Sequence, residues 1–342
     1  PPPPAVLHPP VTPPPASGTS RILLPAHNIL PNGPDMAHTA PMAQVADILA
    51  DRGPLTGAEL AAAGGFTDIL RLWRDCHADN LVLRRTGRRY MRLDSAVQGY
   101  ARLSPSIRRE FLTYTLVGLP GQEAALATRA AALDQEFSRI SREKLNLARD
   151  SVCMALAGLP DEPRLLQEAA FMIAGDITYR MAHRVPRPEK SSGRMVRGSD
   201  LDLIVVTTDT LSEAVQQTLD DAIYRQKHYL LTHPDQQEEI DYIIKPLAKV
   251  RQQLAFDRFE HMVACKILGE CQLLYGSPFL FAELMKLVDA AGVRQKLDAL
   301  QAAAEAERQA AEHVLRDPAA AAVPGHDPLE LFHTREEGDE IY

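Results

Sequence analysis

Cysteine is scarce in this chain and poorly placed for chemistry. The four cysteines, Cys76, Cys153, Cys265 and Cys271, share no metal-ligand spacing, so reduced thiols are expected and a zinc site is not. No apolar run approaches the length of a membrane span, and no membrane partner is expected. The N-terminus lacks a basic segment followed by an apolar core, so no secretory signal is read there and a cytoplasmic setting is expected. An excess of positive charge is missing too. The 37 Lys and Arg stand against 45 Asp and Glu, a formal net charge of −8, which argues against a generally basic nucleic-acid coat and leaves room for a local basic patch. What is present is 45% hydrophobic residues over 342 positions, enough for two or three domains with real cores.

The chain is organised around Arg197-Gly198-Ser199-Asp200-Leu201-Asp202, which runs on into Leu203 to Val206. Gly198 and Ser199 supply a tight turn, and the β-rich apolar run supplies a buried strand. Period-two geometry puts Asp200 and Asp202 on one face, where two carboxylates repel each other and a divalent cation relieves the repulsion. A second short run, Glu239 to Ile244, carries Asp241 between apolar residues. If the two runs pair, Asp241 meets Asp200 and Asp202. Three acids on adjacent strands can hold two metal ions for an in-line phosphoryl displacement.

At these residues the chain resembles the nucleotidyltransferase superfamily typified by DNA polymerase beta. That family carries Gly-Gly or Gly-Ser at an early strand-to-helix turn, then an Asp-x-Asp pair, then a lone acid on a later strand. Phe171 to Gly175 and Asp176 match the first strand and turn, with Ile177 to Arg184 as the following helix. Asp200 and Asp202 match the paired metal ligands and Asp241 the third. The run Gly-Ser-Asp-Leu-Asp-Leu is also close, locally, to that of glutamine synthetase adenylyltransferases. Asp176 stands where Gly or Ser is usual, and the gap from Gly175 to Asp200 is longer than the family commonly has. The likeness covers about 166–290.

The resemblance implies an enzyme that binds Mg²⁺ or Mn²⁺ with an NTP, ATP foremost, and transfers the nucleoside monophosphate to an acceptor hydroxyl on RNA, protein or a small molecule. Asp200, Asp202 and Asp241 are the expected catalytic and metal-binding residues. Gly175, Asp176, Arg180, Arg197, Gly198, Ser199 and Lys266 are the expected nucleotide contacts. Between the turn and the acid pair lie Arg180, His183, Arg184, Arg187, Lys190, Arg194 and Arg197, read as a basic loop that clamps an anion. Lys245, ending the Asp241 strand, reaches a phosphate or is simply exposed. Tyr275, in a helix ending Leu-Tyr-Gly-Ser, stacks on a base or lies in the core.

Residues 1–40 are proline-rich and expected to be disordered, with Met36 or Met42 as alternative starts. Residues 41–95 read as a winged helix-turn-helix resembling the N-terminal domain of abortive-infection antitoxins. Val45, Ile48 and Leu49 form one apolar face, Thr56 and Thr67 cap the second and third helices, and Leu70 and Trp73 face the core. A hairpin turning at Thr86-Gly87 forms the wing, made basic by Arg84, Arg85, Arg88, Arg89 and Arg92, which could grip nucleic acid or be solvated. Asp68, Asp75 and Asp79 weaken a groove-reading role for the third helix. Residues 96–165 read as a helical connector without chemistry, including one helix over Ile107 to Val117. Residues 293–316 read as a surface or dimerising helix, and 317–342 as a disordered acidic tail. The expected fold is thus α+β, with a nucleotidyltransferase α/β domain over 166–292 built on a mixed sheet and followed by C-terminal helices. A role in toxin–antitoxin or phage-defence systems follows by analogy. The alternative is a non-catalytic, nucleotide-sensing winged-helix regulator.

Overall fold

Local signals place the first three helices close to where the sequence spacing puts them. A computed structural model of the protein describes residues 40–77, 80–189, 191–317 and 328–334. The proline-rich segment with Met36, Asp79, Lys190 and most of the acidic tail lie outside the described residues. Helix α1 (Ala40–Arg52) buries Val45 and Leu49. Strand β1 (Leu55–Thr56) leads into α2 (Gly57–Gly64). Here the Thr56 hydroxyl accepts from Glu59 N at 3.2 Å while Thr56 N donates to Glu59 Oε2 at 2.8 Å, a reciprocal cap. Helix α3 (Ile69–Cys76) is capped by Asp68 rather than Thr67, because the Asp68 carboxylate accepts from Arg71 N at 2.9 Å. It buries Leu72, Trp73 and Cys76.

The expected hairpin is replaced by longer-range pairing. Strands β2 (Val82–Arg85), β3 (Tyr90–Leu93) and β4 (Ala101–Ser104) precede a short α4 (Ile107–Arg109), a π-helical turn (Glu110–Tyr114) and β5 (Thr115–Gly118). β2 pairs antiparallel with β5, giving the order β1-β5-β2, and β3 pairs with β4 in a separate ribbon. Thr86-Gly87 is therefore a corner, where Thr86 N donates to Tyr114 O and Gly87 N to Asp134 Oδ1, both at 2.8 Å. The helix expected to reach Val117 stops at Tyr114, since Thr115 to Val117 are needed in the sheet.

Next come α5 (Glu123–Leu156), a single helix of 34 residues, and α6 (Glu162–Glu168) with a proline in its first turn. Then follow β6 (Ala169–Ile173), α7 (Asp176–Tyr179), β7 (Pro186–Pro188), β8 (Met195–Arg197) and β9 (Leu201–Thr207). The helix expected over Ile177 to Arg184 is one turn long and ends at Arg180, which is left-handed at φ 58°. α8 (Glu213–Thr232) crosses to β10 (Ile240–Pro246), followed by α9 (Leu247–Gln253), α10 (Phe259–Glu270), β11 (Gln272–Gly276), α11 (Pro278–Ala290), α12 (Val293–Arg316) and α13 (Pro328–Phe332). Leu273 to Tyr275 are strand rather than helix, and 328–332, within the tail, form a helix whose Phe332 joins the core of Val45 and Trp73.

The main sheet has the order β10-β9-β6-β11, with β9 and β10 parallel and β6 antiparallel to both its neighbours. Alternation divides its side chains between two cores. Phe171, Ile173, Leu201, Leu203 and Val205 pack with α5 and α8, while Met172, Ile204 and Val206 pack with α9, α10 and α11. The protein is thus α+β with small mixed sheets. Among the described residues no helix is long and apolar enough to cross a membrane.

Candidate functional site

The register of two strands assembles the acids. Asp241 lies directly opposite Asp202 in the parallel β9–β10 pair, and paired residues of a parallel ladder share a face. Asp200 stands two residues earlier, at the mouth of β9. Gly175, at the end of β6, abuts them. It has φ 71°, and a Cβ there would overlap Asp202 Oδ2. The carboxyl of Asp202 is held well above the ordinary carboxylate range, first by burial, then by Asp200, Asp176 and Asp241, with Arg92 opposing.

Asp176, the departure from the family's usual turn, is a fixed structural carboxylate. It accepts from the hydroxyls of Tyr90 on β3 and of Ser199, the latter at 2.7 Å. Burial would raise its pKa, but His183, Tyr90, Arg92 and Ser199 outweigh that and hold it below the usual range. Burial and the nearby Arg109 push His183 down to about 4, against the pull of Asp176. Ser199 also accepts from His183 N at 3.2 Å, and a Cβ at Gly198 would overlap the His183 carbonyl. The Gly198-Ser199 turn is thereby closed tightly on the segment that follows α7.

The same turn is anchored from the helical connector, which the sequence reading left without chemistry. Buried Lys144 of α5 donates to Arg197 O at 2.8 Å, to Ser199 O at 2.7 Å and to the Glu238 carboxylate. Its sequence signal is a lysine in the buried stripe of α5, two turns from Phe137 and one from Ala148.

Other expected contacts are turned to different tasks. Lys266 donates to Glu270 Oε1 at 2.7 Å; that oxygen also accepts from Gly175 N at 3.3 Å, and the other Glu270 oxygen from the Tyr179 hydroxyl. Lys266 thus approaches the turn through Glu270 and through the Tyr90 and Tyr179 rings, each 5.7 Å from its ammonium. Arg197 points its guanidinium at Asp235 O, 3.0 Å away, and Arg180 is exposed at the left-handed end of α7. The basic loop is a ribbon of β7 and β8. In it, Arg187 pairs with Glu239 at 2.8 Å and approaches Asp200 to 3.5 Å, and just before it Arg184 pairs with Glu143 at 2.6 Å. Lys245 is buried and donates to Gln253 Oε1 at 2.9 Å, so it reaches no phosphate. Tyr275 lies on β11, packed against the core of α5.

Of the five wing arginines, Arg89 alone is half-buried, and Arg84, Arg85, Arg88 and Arg92 are exposed. Arg89 pairs with Glu110 and Glu312, both at 2.6 Å, and Arg88 lies 5.0 Å over the Tyr179 ring, which stacks on Tyr90 at 4.1 Å. Arg92 is exposed on β3; desolvation by the protein beside it works against its charge, but Tyr90, Asp176, Asp200 and Asp202 outweigh that and keep the guanidinium charged beside the acid cluster.

Among the described residues no group of three or more His, Cys, Asp or Glu side chains closes on one cation position. Asp200 is turned towards Arg187, and Asp241, exposed, accepts from Lys227 at 3.2 Å. Yet the donor set is all carboxylate, which suits Mg²⁺ or Mn²⁺ rather than a soft metal, and Gly175 keeps clear the space beside Asp202 Oδ2. The residue types suit a hard divalent cation, while the side chains of Asp200 and Asp241 are engaged by Arg187 and Lys227.

No family model, curated protein or solved structure matches the chain.

Proposed function

We propose that the chain is a metal-dependent nucleotidyltransferase that moves a nucleoside monophosphate from an NTP to an acceptor hydroxyl. The observation that carries this reading is the in-register pairing of Asp241 with Asp202, with Asp200 on the same face and Gly175 against them. A divalent cation held by Asp200, Asp202 and Asp241 would neutralise the triphosphate and lower the pKa of the acceptor hydroxyl. The chain's own work is positioning. Lys144, Glu238 and Asp176 fix the Gly198-Ser199 turn, and Gly175 lets a phosphate approach the backbone closely. Asp202, at its raised pKa, takes up the metal-binding form only with a compensating cation at hand.

The test is transfer from each of the four α-labelled NTPs, with Mg²⁺ or Mn²⁺, into cellular RNA, protein and small-molecule fractions. Wild type should label one fraction, and Asp202→Ala should lower the rate by about a thousandfold or more, on the scale of losing an essential charge-stabilising group. Equal labelling by both proteins would remove the enzymatic reading.

A second reading is favoured by the acids turned towards Arg187 and Lys227. In it the site senses a nucleotide without chemistry, and α1 to α3 with the β1-β5-β2 sheet act as a winged helix on DNA or RNA. Arg84, Arg85, Arg88 and Arg92, all exposed, would carry that contact, since of the wing arginines Arg89 alone is held by both Glu110 and Glu312. Gel shifts at two salt concentrations test it. Binding that weakens steeply with salt supports it, and absent or salt-insensitive binding excludes it.

A further inference from the structure

We propose that the chain carries a second ligand site, for a small anion bearing a flat ring, between α3, the π-helical turn and α12. A cavity of about 310 Å³ opens there and shares no lining residue with the acid cluster. Its size lies at the lower end of the ~300–1,000 Å³ typical of ligand pockets, which admits one ring and one anionic group. The site is independent of the transferase reading.

The flat side of the cavity is His77, whose ring lies 4.2 Å from that of Trp73; Trp73 and Phe111 stand behind the lining, almost wholly buried, and show the cavity only an edge. His77 Nδ1 faces the Trp73 carbonyl at 2.7 Å and must carry its proton there, which leaves Nε2 as an acceptor. The π-helical turn that supplies Glu110 and Phe111 is a rare conformation found disproportionately at functional positions.

The anion is called for by the arithmetic of the charges. Two acids, Glu110 and Glu312, stand at the cavity, and both are already satisfied by two arginines. Arg89 donates to Glu110 at 2.6 and 2.7 Å and to Glu312 at 2.6 Å. Buried Arg308 donates to Glu312 at 2.8 Å and to Glu110 at 3.3 Å. Arg85 and Arg316 are held only loosely: Arg85 makes a long ion pair to Glu110 and Arg316 one to Glu312, each at 3.9 Å and beyond hydrogen-bond reach, with side chains 44% and 53% exposed. Two guanidinium forks on the lining of a cavity that also presents the His77 ring match a carboxylate or phosphate attached to a ring.

A nucleoside monophosphate and an aromatic carboxylate share that chemistry, and the test separates them. Trp73 is the chain's single tryptophan, so its emission reports the cavity directly. The full chain is titrated with AMP and with nicotinate, and in parallel with the uncharged adenosine and nicotinamide. At least one anion should change Trp73 emission saturably and bind at least tenfold more tightly than its neutral partner. R85Q/R316Q should weaken that binding at least tenfold while keeping the wild-type melting temperature, and R316Q alone serves if the double variant does not fold. Asp202→Asn should leave the binding unchanged, which separates this cavity from the acid site. No saturable change with either anion up to millimolar concentration overturns the proposal. So does equal binding of the neutral compounds, or an R85Q/R316Q (or R316Q) titration that matches wild type.

Discussion

Lys245 is the residue whose burial has the plainest thermodynamic consequence. It sits in the core beside Cys265 and Cys271, donating to Gln253 Oε1, and burial lowers its pKa to about 8. The unfolded chain holds that proton to about 10.4, so between these values the unfolded state binds more protons and stability rises with pH. Below pH 8 the folded state carries a poorly solvated ammonium, at a cost on the order of 3 kcal/mol. Cys265 and Cys271 act in the opposite direction, since burial raises their thiols to about 11 and about 12 and the unfolded chain loses those protons first. The comparison of Lys245→Met with wild type isolates the lysine. The variant is expected to be more stable at pH 7, with the gain shrinking by pH 10, as measured by urea unfolding across that range. A gain that is constant with pH would mean that the ammonium is not the cause. In the sequence this lysine looked like a strand end. Its register opposite Val206 on the two-sided sheet, which puts it in the core, depends on a partner strand that no local signal specifies.

At the scale of elements, the turn before β9 hangs from α5. Replacing Lys144 by Met removes donors to Arg197 O and Ser199 O and leaves Glu238 buried without its cation. A loss of about 3–5 kcal/mol is expected, the usual result of breaking a buried pair from one side. Lys144→Met/Glu238→Leu should recover part of the stability but not the transfer activity, because the two carbonyls remain unsatisfied. Unfolding and transfer assays of both variants check this. The elements bearing the acids were legible because β-rich runs flanked by Gly, Ser and Asp mark strands and turns within a few residues. The β2–β5 pairing was not. Its second strand lies some thirty residues on, beyond Thr86-Gly87, whose composition imitates a two-residue hairpin turn, and Thr115 to Val117 continue an apolar run that locally reads as helix. The Lys144 and Glu270 anchors were hidden for the same reason, since each acts on a turn far away in the chain.

Across the whole molecule, the first third of the described chain reaches the acid site through β3. Tyr90 donates to Asp176 and stacks on Tyr179, and Tyr114 donates to the Met181 carbonyl at 2.6 Å. The chain from Ala40 onward clusters into one unit. Tyr90→Phe keeps the stack and removes only the hydroxyl. It is expected to cost about 1.5–3 kcal/mol, the range for a hydrogen bond to a charged group, and to reduce transfer in parallel, because Asp176 would then hold Ser199 without its second partner. Unchanged stability and unchanged transfer would show that the two parts of the chain are merely adjacent.

The parallel pairing of β9 with β10 makes the span between α8 and β10 a gauge block. Adding or deleting a single residue there would turn β10 over, carrying Asp241 to the side of Ile240 and bringing an apolar neighbour round in its stead. Related chains that kept every acid but altered the length of that span would therefore spell the same motif and hold a different surface.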